Sequence, residues 1–125
     1  MSGSRFNKAK GDEGERIAGE FLLKAGFKIL RTNFRTAHGE IDIIAENEDG
    51  GINFIEVKSR SGNLFGKPAE AVGSTKRSRI INSSKYFMSK YKNGMDKRPL
   101  SYGLIAIEFF KNNSVKLIFF ENAFD

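Results

Sequence analysis

A chain of 125 residues without cysteine is long enough for one domain with its own core, and it offers neither a disulfide framework nor a thiolate metal site. Its N-terminal stretch is polar and charged, and no apolar run approaches the roughly 20 residues that cross a bilayer, so a soluble, cytoplasmic setting without signal peptide or membrane span is expected. The net charge of +6 is unevenly spread: residues 1–57 carry −2, residues 58–98 carry +9 and residues 99–125 carry −1. A cationic middle joined to a carboxylate-bearing first half suits a protein that grips a polyanion and keeps acids for chemistry, although surface lysines serving solubility alone give the same total.

In chain order, residues from about 9 to 25 predict a helix: Ile17, Ala18, Phe21, Leu22 and Ala25 recur at helical spacing, with Arg16 and Glu20 opposite. Gly26 is its stop. Three extended runs follow, Phe27–Phe34, Gly39–Glu46 and Ile52–Ser59, the last two joined by the turn Asn47-Glu48-Asp49-Gly50-Gly51. After a Gly-containing loop from Ser61 to Pro68, a second helix is expected from near Ser74 to Tyr91, with Ile80, Ile81, Phe87, Met88 and Tyr91 as its apolar stripe. Two final strands, Tyr102–Phe110 and Ser114–Asn122, flank the turn Lys111-Asn112-Asn113. Strands before and after a helix indicate an α/β fold, a mixed central sheet flanked by helices. The run Leu104–Phe109 is apolar on both faces, as a sheet interior requires.

The acids stand out by position. Asp42 interrupts Ile41, Ile43 and Ile44, and Glu56 interrupts Ile55 and Val57. A carboxylate inside a buried strand costs several kcal/mol unless it is paired, hydrogen-bonded or bound to a cation. Alternation along a strand puts Glu56 and Lys58 on one face. A three-residue loop of Glu48, Asp49 and Gly50, with Gly50 left-handed, sets Asp42 across from Glu56, with Cβ atoms roughly 4.5–5.5 Å apart. Two carboxylates that close repel unless a proton or metal lies between them, and hard oxygen ligands favour Mg²⁺ or Mn²⁺ over zinc. The plainer alternative is a pair of strand acids matched with Lys58 or Arg60. Glu15 lies about 90° from the centre of the first helix's apolar face, where a carboxylate either reaches round to the sheet or stays solvated. His38 reads as a polar surface residue. Lys76, Arg77 and Arg79 open the second helix, placed for phosphate contact or for solvation.

These residues belong to a longer series of motifs: G-x-x-G-E from Gly11 to Glu15, A-x-x-F-L from Ala18, G-F-x-I-L from Gly26, N-F-R at Asn33–Arg35, G-E-I-D-I-I from Gly39 and F-I-E-V-K-S-R from Phe54. F-G-x-P-x-E-A-V from Phe65 to Val72, the Lys76-Arg77 helix opening and a terminal E-N-A-F complete it. Together they resemble the YraN-like family of uncharacterised bacterial proteins, which looks like a branch of the PD-(D/E)xK nucleases related to archaeal Holliday junction resolvases. The resemblance implies one restriction-endonuclease-like, three-layer α/β/α domain over residues 1–125. It implies a catalytic set of Glu15, Asp42, Glu56 and Lys58, with Asp42, Glu56 and the Val57 carbonyl holding Mg²⁺ or Mn²⁺ and Lys58 orienting or activating water. Arg35, Arg60, Lys76, Arg77 and Arg79 are then candidates for contact with nucleic acid. One departure is that Ser101-Tyr102-Gly103 stands where the family usually has Arg-Phe-Asp. The expected activity is metal-dependent phosphodiester hydrolysis on DNA, on branched or single-stranded forms, with a non-catalytic nucleic-acid-binding module as the alternative and homodimerisation left open.

Overall fold

Helical spacing around Ala18 and Leu22 builds α1 (Ser2–Lys24), which starts well before the expected residue 9. It ends by the mechanism Gly26 announces: that residue is left-handed (φ 94), Gly26 N–H donates to Leu23 O at 3.2 Å, and Phe27 N–H donates to Leu22 O at 2.9 Å. This is a Schellman cap. The structure, a computed structural model, describes residues 2–61, 72–90 and 97–124, with α1 side chains from Gly11 onward. The motif from Phe65 to Val72, except for Val72, and Tyr91 of the second helix's stripe lie outside the described residues.

Three strands follow, β1 (Lys28–Thr36), β2 (Gly39–Glu46) and β3 (Ile52–Ser61), then α2 (Ser74–Lys90), β4 (Leu100–Phe109) and β5 (Val115–Phe124). They form one five-stranded sheet in the order β1-β2-β3-β4-β5. Only the β3–β4 pairing is parallel, and the connection that carries α2 makes that crossover. The sheet is therefore mixed, as the element order predicts.

Each face of the sheet has its own core. Ala18 and Leu22 of α1 pack with Ile43, Ala45, Ile55, Ile105 and Ile107. Ile80 and Phe87 of α2 pack with Ile41, Ile44, Phe54 and Leu104 on the other face. The result is a three-layer α/β/α arrangement in which each buried Leu, Ile or Phe contributes about 1.5–3 kcal/mol of transfer free energy. Among the described residues no helix is long and apolar enough to cross a membrane.

Two details depart from the sequence pattern. The buried residues of α2 are Ile80, Ser83, Ser84 and Phe87, while Ile81 and Met88 are only half-buried. The serines are tolerated because each hydroxyl has a partner: Ser83 Oγ lies 2.8 Å from Thr36 Oγ1, and Ser84 Oγ lies 2.7 Å from Tyr102 Oη. The Ser101-Tyr102-Gly103 departure is a packing feature. The Tyr102 ring stacks between Phe54 and Phe124, with centroids at 5.6 and 5.4 Å. A Cβ at Gly103 would stand 3.0 Å from the Phe119 ring and 3.3 Å from the Phe120 carbonyl oxygen, at a register shift between β4 and β5.

Candidate active site

The hairpin between β2 and β3 sets the geometry. Asn47 N–H donates to Gly51 O at 2.9 Å, which leaves Glu48, Asp49 and Gly50 as the loop, and Gly50 is left-handed (φ 88). The Asn47 side-chain oxygen accepts from Asp49 N–H at 3.0 Å and Gly51 N–H at 2.8 Å, which holds the turn. The pairs Glu46↔Ile52 through Ile43↔Ile55 follow, so Asp42 and Glu56 are next in register.

The ladder stops at that point. By antiparallel alternation Val57 N–H faces β2 and would next bond Ile41; instead it donates to Asp42 Oδ2 at 2.8 Å. Ile41 then turns its side chain into the α2-side core with Ile44, while Ile43 stays on the α1 side. The break extends into β1, where Asn33, opposite Asp42 by register, is left-handed (φ 51). Asn is the residue that bears this conformation at least cost after glycine. Strands β1 and β2 thus bend away from β3, and the Asp42 carboxylate fills the gap.

Other elements bring their groups to this gap. Glu56 is only 5% exposed, its Oε1 sits 3.0 Å from Lys76 Nζ, and its Oε2 is buried with no N–H donor among the described residues. Glu15 comes from α1 because that helix lies tight on β3: a Cβ at Gly14 would stand 1.8 Å from Ser59 Oγ. The Asn33 amide, with its nitrogen turned to the acids, donates to Glu15 Oε1 at 2.9 Å and Glu40 Oε1 at 3.1 Å. Glu40 also meets Arg35 Nε at 3.5 Å. Lys58 is half-buried on the Glu56 face of β3. A cleft of about 500 Å³ opens beside these groups, lined in part by Gly39, Glu40, Asp42, Lys76 and Arg79.

Burial pushes the Glu56 carboxyl up to about 8; a hydrogen bond between its protonated form and the Asp42 side chain, then the Asp42 charge, add to the rise, and the Lys76 ammonium opposes it. Burial, then the charges of Asp42, Glu40 and Asp12, raises Glu15 to about 7. Burial disfavours the charged Lys76 ammonium, but Glu56, Asp42 and Glu40 together hold it above its ordinary range. Among the described residues no three His, Cys, Asp or Glu side chains gather at metal-binding spacing. A cation here would rest on two carboxylates, Asp42 and Glu56, with a backbone carbonyl such as that of Val57 and water. Mg²⁺ accepts such a sparse protein set, and Glu56 Oε2, buried with no N–H donor among the described residues, fits it.

Of the expected nucleic-acid contacts, Arg35, Arg60 and Arg79 are exposed and Arg77 is half-buried. Lys76 instead touches Glu56, so it stands inside the site rather than beside it. Asn33 and Glu40 were not singled out by sequence reasoning. The available signal was an asparagine within a strand-like run, which is a poor residue for a pleated strand.

The chain is 46% identical over 101 residues to a UPF0102 protein of Clostridioides difficile (strain 630), covering 81% of this chain and 86% of the relative. It is 43% identical over 120 residues to one of Caldicellulosiruptor bescii, covering 94% of this chain and 98% of the relative. Among solved structures it is similar to a repair endonuclease from Pyrococcus abyssi, at 21% identity and TM-score 0.46, over 85% of this chain and 39% of that one. It is also similar to Pyrococcus furiosus SfsA in complex with Ca²⁺, at 11% identity and TM-score 0.40, over 92% of this chain and 63% of that one. The model of the uncharacterised protein family UPF0102 matches residues 14–109, a span that holds Glu15, Asp42, Glu56, Lys58 and Lys76. With relatives matched over nearly their whole length, the chain belongs to UPF0102, the family of YraN-like proteins that its motifs resemble.

Proposed function

We propose that this protein is a divalent-metal-dependent phosphodiesterase that acts on DNA, on branched or single-stranded forms. The observation that carries the reading is Glu56 Oε2, a buried carboxyl oxygen that no N–H donor reaches among the described residues, beside a second acid, Asp42, whose side chain meets the Glu56 carboxyl. Such an atom is costly unless a proton shared with Asp42 or a cation lies there, and the proposed cation takes the place of that proton. A bound Mg²⁺ or Mn²⁺ supplies positive charge beside the phosphodiester and makes water a better nucleophile.

The chain's own residues do the rest. Asp42, fixed by Val57 N–H, and Glu56, fixed by Lys76, hold the cation. Lys58, on the Glu56 face of β3, orients the attacking water or meets charge developing on the phosphate. Glu15, pushed up to about 7 by burial and then by the Asp42 charge, is held by Asn33 at the edge of the site, where it is placed to carry a proton. Arg60, Arg77 and Arg79 grip flanking phosphates, and Arg35 does so beside Glu40.

A second reading, a nucleic-acid-binding module without catalysis, is favoured by one observation: Lys76 already neutralises part of the charge on Glu56. One assay separates the two. Labelled linear, single-stranded and four-way-junction DNA are incubated with Mn²⁺ and the parent, with Glu56→Ala as the blank. Cleavage of one of these forms by the parent and none by the variant supports the enzyme. Salt-sensitive binding by both proteins without cleavage supports the module.

A further inference from the structure

Each carboxylate at the gap has one oxygen held by the protein. Asp42 Oδ2 takes Val57 N–H at 2.8 Å, and Glu56 Oε1 takes Lys76 Nζ at 3.0 Å, while Glu56 Oε2 is buried without an N–H donor among the described residues, the Glu56 carboxyl lying against the Asp42 side chain. The two anchors come from different places. One is the backbone of β3, fixed by the sheet; the other is a side chain from the first turn of α2, in the opposite layer from α1. That turn is set by Arg77 N–H donating to Gly73 O at 2.9 Å. The Lys76 side chain is 51% exposed and Glu56 is 5% exposed, so the ammonium reaches inward from the cleft to a buried acid.

We propose that Lys76 is a positioning residue of the metal site, anchoring Glu56 through Oε1 so that Oε2 is presented to the cation. The inference rests on the metal-dependent reading above and assigns Lys76 a role distinct from phosphate contact. A ligating carboxylate whose second oxygen is anchored has its orientation fixed before the cation arrives, and loss of such an anchor typically costs about 10–100-fold in metal affinity. The anchor also ties the α2 layer to the site, because the bond crosses from that helix to β3.

The test is a calorimetric Mn²⁺ titration of the DNA-free protein, so it reads binding and no activity. Lys76→Met is expected to weaken Mn²⁺ about 10–100-fold, and Lys76→Arg, which keeps a cationic donor, to recover most of the loss. Lys85→Met, which removes an exposed lysine from the same helix, should bind as the parent does. Melts in chelator check that each variant is folded, and Lys76→Gln replaces Lys76→Met if the latter is not. A parent that binds while Lys76→Met binds equally or more tightly overturns the inference alone, since the ammonium is then a bystander or a competing counter-ion. A parent that takes up no Mn²⁺ overturns the metal reading and this inference together.

Discussion

Val57 N–H donates to Asp42 Oδ2 at 2.8 Å, the bond that a continued β2–β3 ladder would have given to the Ile41 carbonyl. A side chain here replaces a strand's backbone, and this opens the sheet among three further acids. On one side of Asp42 stand Glu15 and Glu40, bridged by Asn33; on the other stands Glu56 with Lys76. The site's acids, the left-handed Asn33 and the divided packing of Ile41 and Ile43 all follow from that one break.

Stability should depend on pH in a defined direction. Glu56 titrates at about 8 and Glu15 at about 7 in the folded protein, and both fall near 4.3 in an unfolded chain, about the ordinary glutamate value. Between these limits the folded state holds protons that the unfolded state has released. Their stabilising contribution is complete below the unfolded value and is lost as pH rises through about 7 and then about 8. The slope is at most about 1.4 kcal/mol per pH unit for each proton. Urea unfolding in chelator at about pH 5.5, 7 and 8.5 should show the decline, with Glu56→Gln flattening its upper part. Parental stability that rises across this window contradicts the assignment.

Gly14 should resist substitution. A Cβ there overlaps Ser59 Oγ and stands 3.1 Å from Ser59 Cβ, so Gly14→Ala must turn the Ser59 hydroxyl away and press α1 and β3 apart by a few tenths of an ångström beside Glu15. A loss of about 1–3 kcal/mol is expected. Ser59 Oγ has no hydrogen-bond partner among the described residues, so Ser59→Gly removes no bond seen there, and the double variant should recover part of the loss. Denaturant melts of the four proteins measure the coupling; purely additive losses show that the contact is not the cause.

If Lys58 acts on water or phosphate as proposed, Lys58→Met should abolish DNA cleavage while leaving Mn²⁺ affinity nearly parental, since the carboxylates stay in place. Cleavage at the parental rate removes Lys58 from the mechanism. A large loss of Mn²⁺ affinity reassigns it to support of the metal ligands.

Affinity for DNA should fall with salt, with a log–log slope of roughly −0.9 for each phosphate contacted. Replacing Arg60, Arg77 and Arg79 together with Ala should flatten that slope by roughly 2–3. Filter binding at several salt concentrations measures it, and a parental slope near zero excludes a nucleic-acid partner.

Features of this fold fixed by local chemistry are readable in the sequence, and those fixed by distant partners are not. Gly50 dictates a three-residue loop, the loop dictates the register, and the register brings Asp42 to Glu56 before any tertiary contact is known. Gly26 ends α1 for the same local reason. The apolar run in β4 likewise marks a strand with neighbours on both sides. Lys76 is different: whether it meets phosphate, water or Glu56 depends on where the crossover lays α2 over β3, which no spacing along α2 encodes. Ser83 and Ser84 read as polar surface because the hydroxyls that satisfy them, on Thr36 and Tyr102, come from other elements. Asn33 hides in the same way, since its bend matters only once Glu15 and Glu40 stand on either side.

The central claim is that Asp42 and Glu56 form one cation site, and the most direct measurement is a thermal melt of the parent and of Asp42→Asn, in chelator and then in Mn²⁺. Without metal, Asp42→Asn removes a charge beside a buried carboxyl at nearly constant volume. The variant should therefore match the parent or exceed it by about 1 kcal/mol. A cation that binds only the folded state stabilises it by RT ln(1 + [M]/Kd), about 2.7 kcal/mol at a hundredfold excess over Kd. The parent's Tm should rise clearly with Mn²⁺, and that of Asp42→Asn much less. Equal Tm values for the parent in chelator and in Mn²⁺, or an equal rise in both proteins, contradict the shared cation site and leave the two acids with a structural role.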